Sequence, residues 1–305
     1  MHWIWLMPVM GWIQYYIVIS GHEAVHRTLC PNQRINELVG VVGQAMVGVN
    51  FTAYRLQHID HHRAPTHETD PDAHIYMGVL KQRPGGRRLL WLTLGTIVEI
   101  LIKIRQKGIE GYGTERQIKP EIQRKMRRDS LLVIGMQLCI MLTGWMLLTQ
   151  NGLFGDLWMM VGLTKQSELW HSLLLMAVEL VLSYAIVWTI PLFFVTVFLN
   201  RCRIVIEHGL ALMMAEDNPD FAGLRIPTVE VVPTRVEGWI FAPFSFNYHC
   251  SHHAFMAIPH YKLADLNALM RTQNQDKQNK LGFLQIEGGY LQALLKIIQH
   301  PRVWE

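Results

Sequence analysis

Uncharged apolar runs alternate along the chain with short stretches dense in histidine and charge. Trp3 to Ser20 (WIWLMPVMGWIQYYIVIS) carries no charge, and Leu131 to Leu148 (LLVIGMQLCIMLTGWMLL) is equally apolar. Both approach the roughly 20 residues that a helix needs to cross the hydrocarbon of a bilayer. A longer run, Leu169 to Leu199, contains His171, Glu179 and Pro191 and predicts a span that tilts or kinks. Residues 36–53 (NELVGVVGQAMVGVNFTA) predict a re-entrant or interfacial helix, because a full crossing would put the histidine-rich segments before and after it on opposite faces. Leu89–Ile104 carries Glu99 and Lys103 and predicts an amphipathic helix lying at the membrane surface. The pattern is that of an all-α integral membrane protein, with transmembrane helices, interfacial helices and a histidine-rich cap. Residues 1–270 are expected to form the membrane domain and residues 271–305 a polar C-terminal tail, which opens with RTQNQDKQNK.

Charge then orients the spans. RKMRR (Arg124 to Arg128) stands just before one span and RCR (Arg201 to Arg203) just after the next, whereas Asn151 to Glu168 holds a single basic residue, Lys165. Basic residues concentrate on the cytoplasmic side, so both basic ends, with the histidines near them, are expected in the cytoplasm. The net charge of +4 comes with no basic stripe interleaved with aromatics, and no nucleic-acid partner is expected. Cys30, Cys139, Cys202 and Cys250 show no disulfide-framework spacing and read as reduced thiols. No basic n-region or cleavage site precedes GHEAVH, which argues against a signal peptide.

Nine of the fifteen histidines fall in four places on the expected cytoplasmic side. HEAVH sets His22 and His26 one helical turn apart at the end of the first span. HIDHH supplies His58, His61 and His62, HCSHH repeats that spacing with His249, His252 and His253, and RCRIVIEHG adds His208. A lone histidine on a helix face is ordinarily a core residue with a satisfied hydrogen bond. Three at i, i+3 and i+4 share one face, repel one another if protonated, and when neutral present their lone pairs to one point. HExxH by itself arises often by chance; two HxxHH copies with it on one membrane face point to metal. Nine ligands are too many for one ion, while two ions with four or five ligands each use the whole set. Imidazole ligation with few carboxylates admits iron, zinc or copper.

The motifs GHEAVH, YRLQHIDHHRAPTHETDPD, RIVIEHG and FNYHCSHHAFMAIPHYKLADL resemble those of the membrane fatty acid desaturase and hydroxylase superfamily, whose three histidine boxes surround a non-haem di-iron centre. The resemblance covers about Gly21 to Met270 and is closest to acyl desaturases in the third box. It implies two iron ions, with dioxygen as co-substrate, held by His22, His26, His58, His61, His62, His208, His249, His252 and His253. Asp70 and Asp72 match the acidic pair after the second box and would orient ligand histidines. Asn247 would support a water on one metal, and Glu207 would arrive beside the boxes with His208. The chain departs from the family pattern in having one span, not a pair, before the first box, which suggests a shortened start or a minimal form with residue 1 outside. It also lacks a cytochrome b5 motif, since RPGG at 83–86 has no haem histidine, so electrons are expected from a separate ferredoxin, cytochrome or reductase.

The leading expectation is an oxygen-dependent desaturase of a long acyl chain, presented as a lipid or on an acyl carrier. Hydroxylation of an acyl chain or a carotenoid by the same centre is the alternative, because the ligand set does not choose between alkene and alcohol. An intramembrane zinc protease would use His22, His26 and Asp220 as ligands and Glu23 as general base, leaving seven clustered histidines idle. A metal transporter would need polar ligands within its spans, and Glu179 is the one good candidate.

Overall fold

The computed structural model describes residues 5–66, 69–105, 118–160, 169–217, 228–276 and 284–304. Helices α1 (Leu6–Val25), α2 (Gln33–Met46), α3 (Phe51–Arg63), α4 (Ala73–Leu80) and α5 (Gly86–Arg105) come first. They are followed by α6 (Pro120–Gln150), α7 (Leu153–Met160) and α8, which begins as Leu169–Tyr184 and runs unbroken to Asp217. Four shorter helices follow: α9 (Arg235–Phe241), α10 (His249–Ala254), α11 (Leu263–Asp276) and α12 (Gly289–Gln299). Strands β1 (Val229–Val231) and β2 (Leu284–Ile286) pair in parallel, with Val229 opposite Leu284.

Among the described residues two helices are long and apolar enough to cross a membrane, Pro120–Gln150 and Trp170–Ala215, with mean hydropathies of 2.1 and 2.2. Both turn apolar side chains outward, Leu131, Ile134 and Leu138 on α6 and Leu174, Val181 and Phe194 on α8. Water would penalise that surface and lipid would not. The molecule is an all-α membrane protein carrying one two-stranded ribbon.

Helix α8 is widened by π-helical turns at Ala185–Thr189, Leu192–Val197 and Val205–Gly209. Pro191 stands between the first two; it lacks an N–H and its ring crowds the preceding turn, and widening relieves the crowding without ending the helix. At 1.5 Å per residue the 46-residue stretch is about 70 Å long, against roughly 30 Å of hydrocarbon. The length of this rod leaves the end that bears Arg201, Arg203, Glu207 and His208 free to extend past the hydrocarbon. Helix α1 lies along this rod at the Pro191–Thr196 level. A Cβ on Gly11 would collide with Val195 and the Pro191 carbonyl, and Thr196 Oγ1 donates to the Gly11 carbonyl at 2.7 Å.

Residues 36–53 are not one interfacial helix. Gly48 takes φ 79°, a left-handed conformation that a side chain would strain, and splits the segment into the end of α2 and the start of α3. The α2 carbonyls left open there are met from the hairpin that α6 and α8 form, by Gln137 Nε2 to Ala45 and Met46 (2.7 and 2.8 Å) and by Trp188 Nε1 to Met46 (2.9 Å). Asn50 then caps α3, and Thr52 donates from its backbone and hydroxyl to Asp129 of α6 at 2.9 and 2.6 Å. The histidine helix α3 is thereby docked at the basic end of α6.

The expected amphipathic helix at 89–104 is α5, tied to the rod by the Arg201–Glu99 ion pair at 2.7 Å. The boundary expected at residue 270 falls inside α11. Beyond it, Leu284, Ile286, Tyr290, Ala293 and Ile297 share one apolar core with α4, α8 and α9, so residues 284–304 are packed structure and not a polar tail.

Candidate metal centre

Each histidine motif lies on a helix held at its base by something other than histidine. His22 is in the last turn of α1, where Gly21 lets Gln44 of α2 approach closely, and Arg27 ends the helix with φ 64°. His58, His61 and His62 occupy the last two turns of α3. His249, His252 and His253 are on α10, entered through Phe244 and Ser245, both left-handed at φ 56°. Two consecutive non-glycine residues in that region cost energy that the surrounding packing must offset, as is common beside functional sites. His208 lies in the third π turn of α8, another feature frequent at such sites.

These elements converge. Ring nitrogens of His22, His26, His58, His62 and His252 lie within 4.8 Å of one another. A second group shares His208 between two triads of the same closeness, His61–His208–His253 and Glu207–His208–His249. The groups adjoin, with the His62 and His253 rings stacked at 4.2 Å. All nine histidines singled out in the sequence are therefore brought together.

Short distances join Nε2 atoms throughout: His26–His58 at 2.8 Å, His58–His62 at 3.0 Å, His208–His249 at 3.2 Å and His249–His253 at 3.0 Å. One Nε2 carries either a proton or a lone pair. His58 and His249 each meet two other Nε2 atoms, an awkward pattern for hydrogen bonds alone. Nitrogens about 2.1 Å from a common ion at right angles would be about 3.0 Å apart, so the spacing fits a cation. His22 Nε2 and both ring nitrogens of His252 are buried without a hydrogen-bond partner among the described residues. A buried lone pair left open is costly unless something binds it. Burial, reinforced by neighbouring imidazoles, holds His58, His249, His252 and His253 well below the ordinary histidine pKa, and burial lowers His26 to about 3. Neutral rings keep the lone pairs that ligation needs.

Carboxylates orient two of the rings from behind. His61 Nδ1 donates to Asp70 at 2.8 Å, and Asp70 also accepts from Tyr76 Oη (2.9 Å) and from the backbone of Asp72 (2.8 Å) and Thr66 (3.1 Å). His22 Nδ1 meets Glu23 at 3.1 Å, and Thr28 Oγ1 donates to the same carboxylate at 3.0 Å. Both contacts leave Nε2 facing the cluster. Asp72 stands farther off, 3.9 Å from His61 and bonded to Gln57 at 2.8 Å. Glu207 is closer than an outer support: it pairs with buried Arg203 and reaches 3.4 Å from His249 Nε2, within the ligand-sized group. Asn247 contributes its backbone carbonyl, which accepts from Val231 at 3.3 Å. Asp220 lies outside the described residues.

Sequence reasoning missed Glu230. From β1 its buried carboxylate accepts the Ser251 backbone N–H at 2.8 Å, the Ser251 hydroxyl and the Asn267 amide. Ser251 is three residues into α10, whose first N–H groups have no capping side chain of their own. Glu230 therefore caps the third histidine helix from another element and complements its dipole. Burial pushes Glu230 up to about 7 against the pull of the Ser251 donors. No local spacing links residue 230 to 251, so the pairing had no signal in one sequence.

A cavity of about 360 Å³ opens onto both groups, touching His22, His58, His61, His208 and His249. Its other walls are mostly apolar, with Ile19, Val47, Leu192, Phe193 and Val197 among them.

The description "Fatty acid desaturase" belongs to the family model that matches residues 1–283. Neither a curated protein nor a solved structure matches the chain. With more than nine-tenths of its length inside that match, the chain belongs to the fatty acid desaturase family.

Proposed function

We propose that the protein is an oxygen-dependent acyl desaturase, with two iron ions divided between the two histidine groups. The carrying observation is a mostly apolar cavity onto which histidines of both groups open, with Gln44, Gln57, Asp72, Thr196, Asn200 and Arg203 as its other polar lining. When bound, the iron pair with dioxygen would supply the oxidising power to remove hydrogen from an unactivated methylene, which no side chain has. The chain's own part is positional. His22, His26, His58, His62 and His252 would hold one ion and His61, His208, His249 and His253 the other, with Glu207 within reach of the second. Asp70 and Glu23 fix ring orientation. The apolar walls favour a hydrocarbon chain by roughly 0.8 kcal/mol per buried methylene and keep water from the reacting carbon. Two hydrogens from the chain and two electrons from a separate donor protein, with two protons, balance the reduction of dioxygen to two waters.

Glu23 argues against the protease reading. Its carboxylate is 1% exposed and engaged by His22 and Thr28, whereas a general base must face a metal-bound water. The experiment is mass spectrometry of lipids and pigments after expression with an electron donor, beside Glu23→Gln. New unsaturation in an acyl chain, retained in part by Glu23→Gln, is expected. An alcohol as sole product replaces desaturation with hydroxylation, and peptide cleavage lost in Glu23→Gln overturns the assignment.

The active site is proposed to face the cytoplasm, because α3 is docked on the end of α6 that carries Arg124 to Arg128. Cysteines placed at exposed Met160 and Lys262 should label from opposite sides of the membrane, Lys262 from the cytoplasm. Labelling of both from one side would break this topology.

A further inference from the structure

Helix α12 lies beyond the residues matched by the family model, yet it is built into the core by Tyr290, Ala293 and Ile297. Its outward face is apolar too: Leu291 and Leu295, one turn apart, are 58% and 52% exposed. Helix α9 packs against it, with the Leu291 N–H donating to Glu237 at 2.9 Å, and exposes Val236 and Trp239 at 66% and 63%. On the other side α5 touches α12, the Gly85 N–H donating to the Ile298 carbonyl at 2.8 Å, and exposes Leu89, Leu90 and Leu94. Three helices thus set apolar side chains outward side by side.

Their level in the molecule is set by α1. Trp12 Nε1 and Tyr16 Oη both donate to the Trp239 carbonyl, at 3.4 and 2.9 Å. Between them Gln14 Nε2 donates to the Trp188 carbonyl at 3.2 Å and Thr196 Oγ1 meets Gln14 at 3.2 Å. Trp239 is therefore held beside the part of the spanning helix that precedes its first basic residue, Arg201. Exposed Arg87, Arg235 and Lys296 lie on the same three helices, next to the apolar positions. Aromatic and aliphatic residues bordered by cations suit the boundary between acyl chains and anionic headgroups.

We propose that α5, α12 and α9 form a continuous interfacial shelf, seated in the cytoplasmic leaflet and recognising anionic lipid. The occupant is the bilayer that the hairpin crosses, because the apolar strip continues from α9 onto α1, whose Val9 and Ile13 are also exposed. A soluble partner would have to displace lipid from that level. The shelf is independent of which reaction the centre performs.

Spin labels test it in nanodiscs of phosphatidylcholine with phosphatidylglycerol. The full chain would carry Cys30→Ser and Cys139→Ser, the two remaining cysteines being buried. Labels at Leu291→Cys, Leu295→Cys and Val236→Cys should collide with oxygen several-fold more, relative to a soluble nickel chelate, than a label at Lys262→Cys. Lys296→Glu combined with Arg235→Glu should raise nickel access at the Leu295 label. Shelf labels as open to nickel as the Lys262 control put the face in water and overturn the inference. Labels shielded from both reagents put a protein over it and overturn it equally.

Discussion

His252→Ala is expected to lower turnover by roughly a hundredfold or more and to take bound metal from about two ions per chain toward one. His252 belongs to the five-histidine group, its ring 4.7 Å from that of His22 and 4.6 Å from that of His26. Both its nitrogens are buried without a hydrogen-bond partner among the described residues. Such a ring contributes little to folding and a great deal to ligation. Truncation removes unsatisfied polar atoms, worth about 1–3 kcal/mol, and opens a cavity of comparable cost, so the metal-free protein should melt within a few degrees of the parent. Metal analysis, turnover and thermal unfolding of the metal-free form separate the outcomes. Two ions with normal turnover would remove His252 from the centre. A large loss of metal-free stability would make it a core residue.

The contrast between His252 and Glu230 indicates what one sequence can carry. HxxHH places three rings on one helical face by local geometry alone, and that geometry survives folding. The spans in α6 and α8 were legible for the same reason, since apolarity over about 20 residues is a one-dimensional property. The run Trp3–Ser20, expected as a third, falls largely in α1, which is not among the two described helices long and apolar enough to cross. That α8 continues past Leu199 was not legible. Charged Arg201 and Arg203 look like a terminus, but they are buried against Glu99 and Glu207, partners 102 and 4 residues away. Likewise Gly48 sits in a run that reads as one apolar segment, and its positive φ arises only in the folded chain. How near Glu207 comes to His249 was not legible either, because spacing cannot tell a supporting carboxylate from a group at ligand distance. The polar opening of the C-terminal segment hid the amphipathic repeat that follows it in GYLQALLKIIQ.

Arg88→Ala is expected to destabilise the fold by about 3 kcal/mol or more and to release residues 284–304. Arg88 is fully buried and has no carboxylate partner among the ion pairs of the described residues. Its guanidinium is satisfied by backbone instead. Nε donates to the Gln82 carbonyl at 3.0 Å, and the terminal nitrogens reach Ile297 (2.6 Å), His300 (2.9 Å), Leu80 (3.4 Å) and Arg302. Ile297 and His300 end α12, where open carbonyls and the helix dipole make a negative pole, so a buried cation is compensated there. Removing it leaves several buried acceptors unmatched, at about 1–3 kcal/mol each before relaxation or water entry. The consequence should be local first, because Trp304 stands over the same guanidinium and Gly85 joins α5 to α12 beside it. Arg88→Lys should recover little, since a single ammonium cannot span carbonyls spread over that fork. Limited proteolysis is the direct measurement, with early cleavage between residues 284 and 304 expected in both variants, ahead of any cut in α6 or α8. Parent-like resistance in Arg88→Ala would mean that the apolar contacts of Tyr290, Ala293 and Ile297 hold α12 without the arginine.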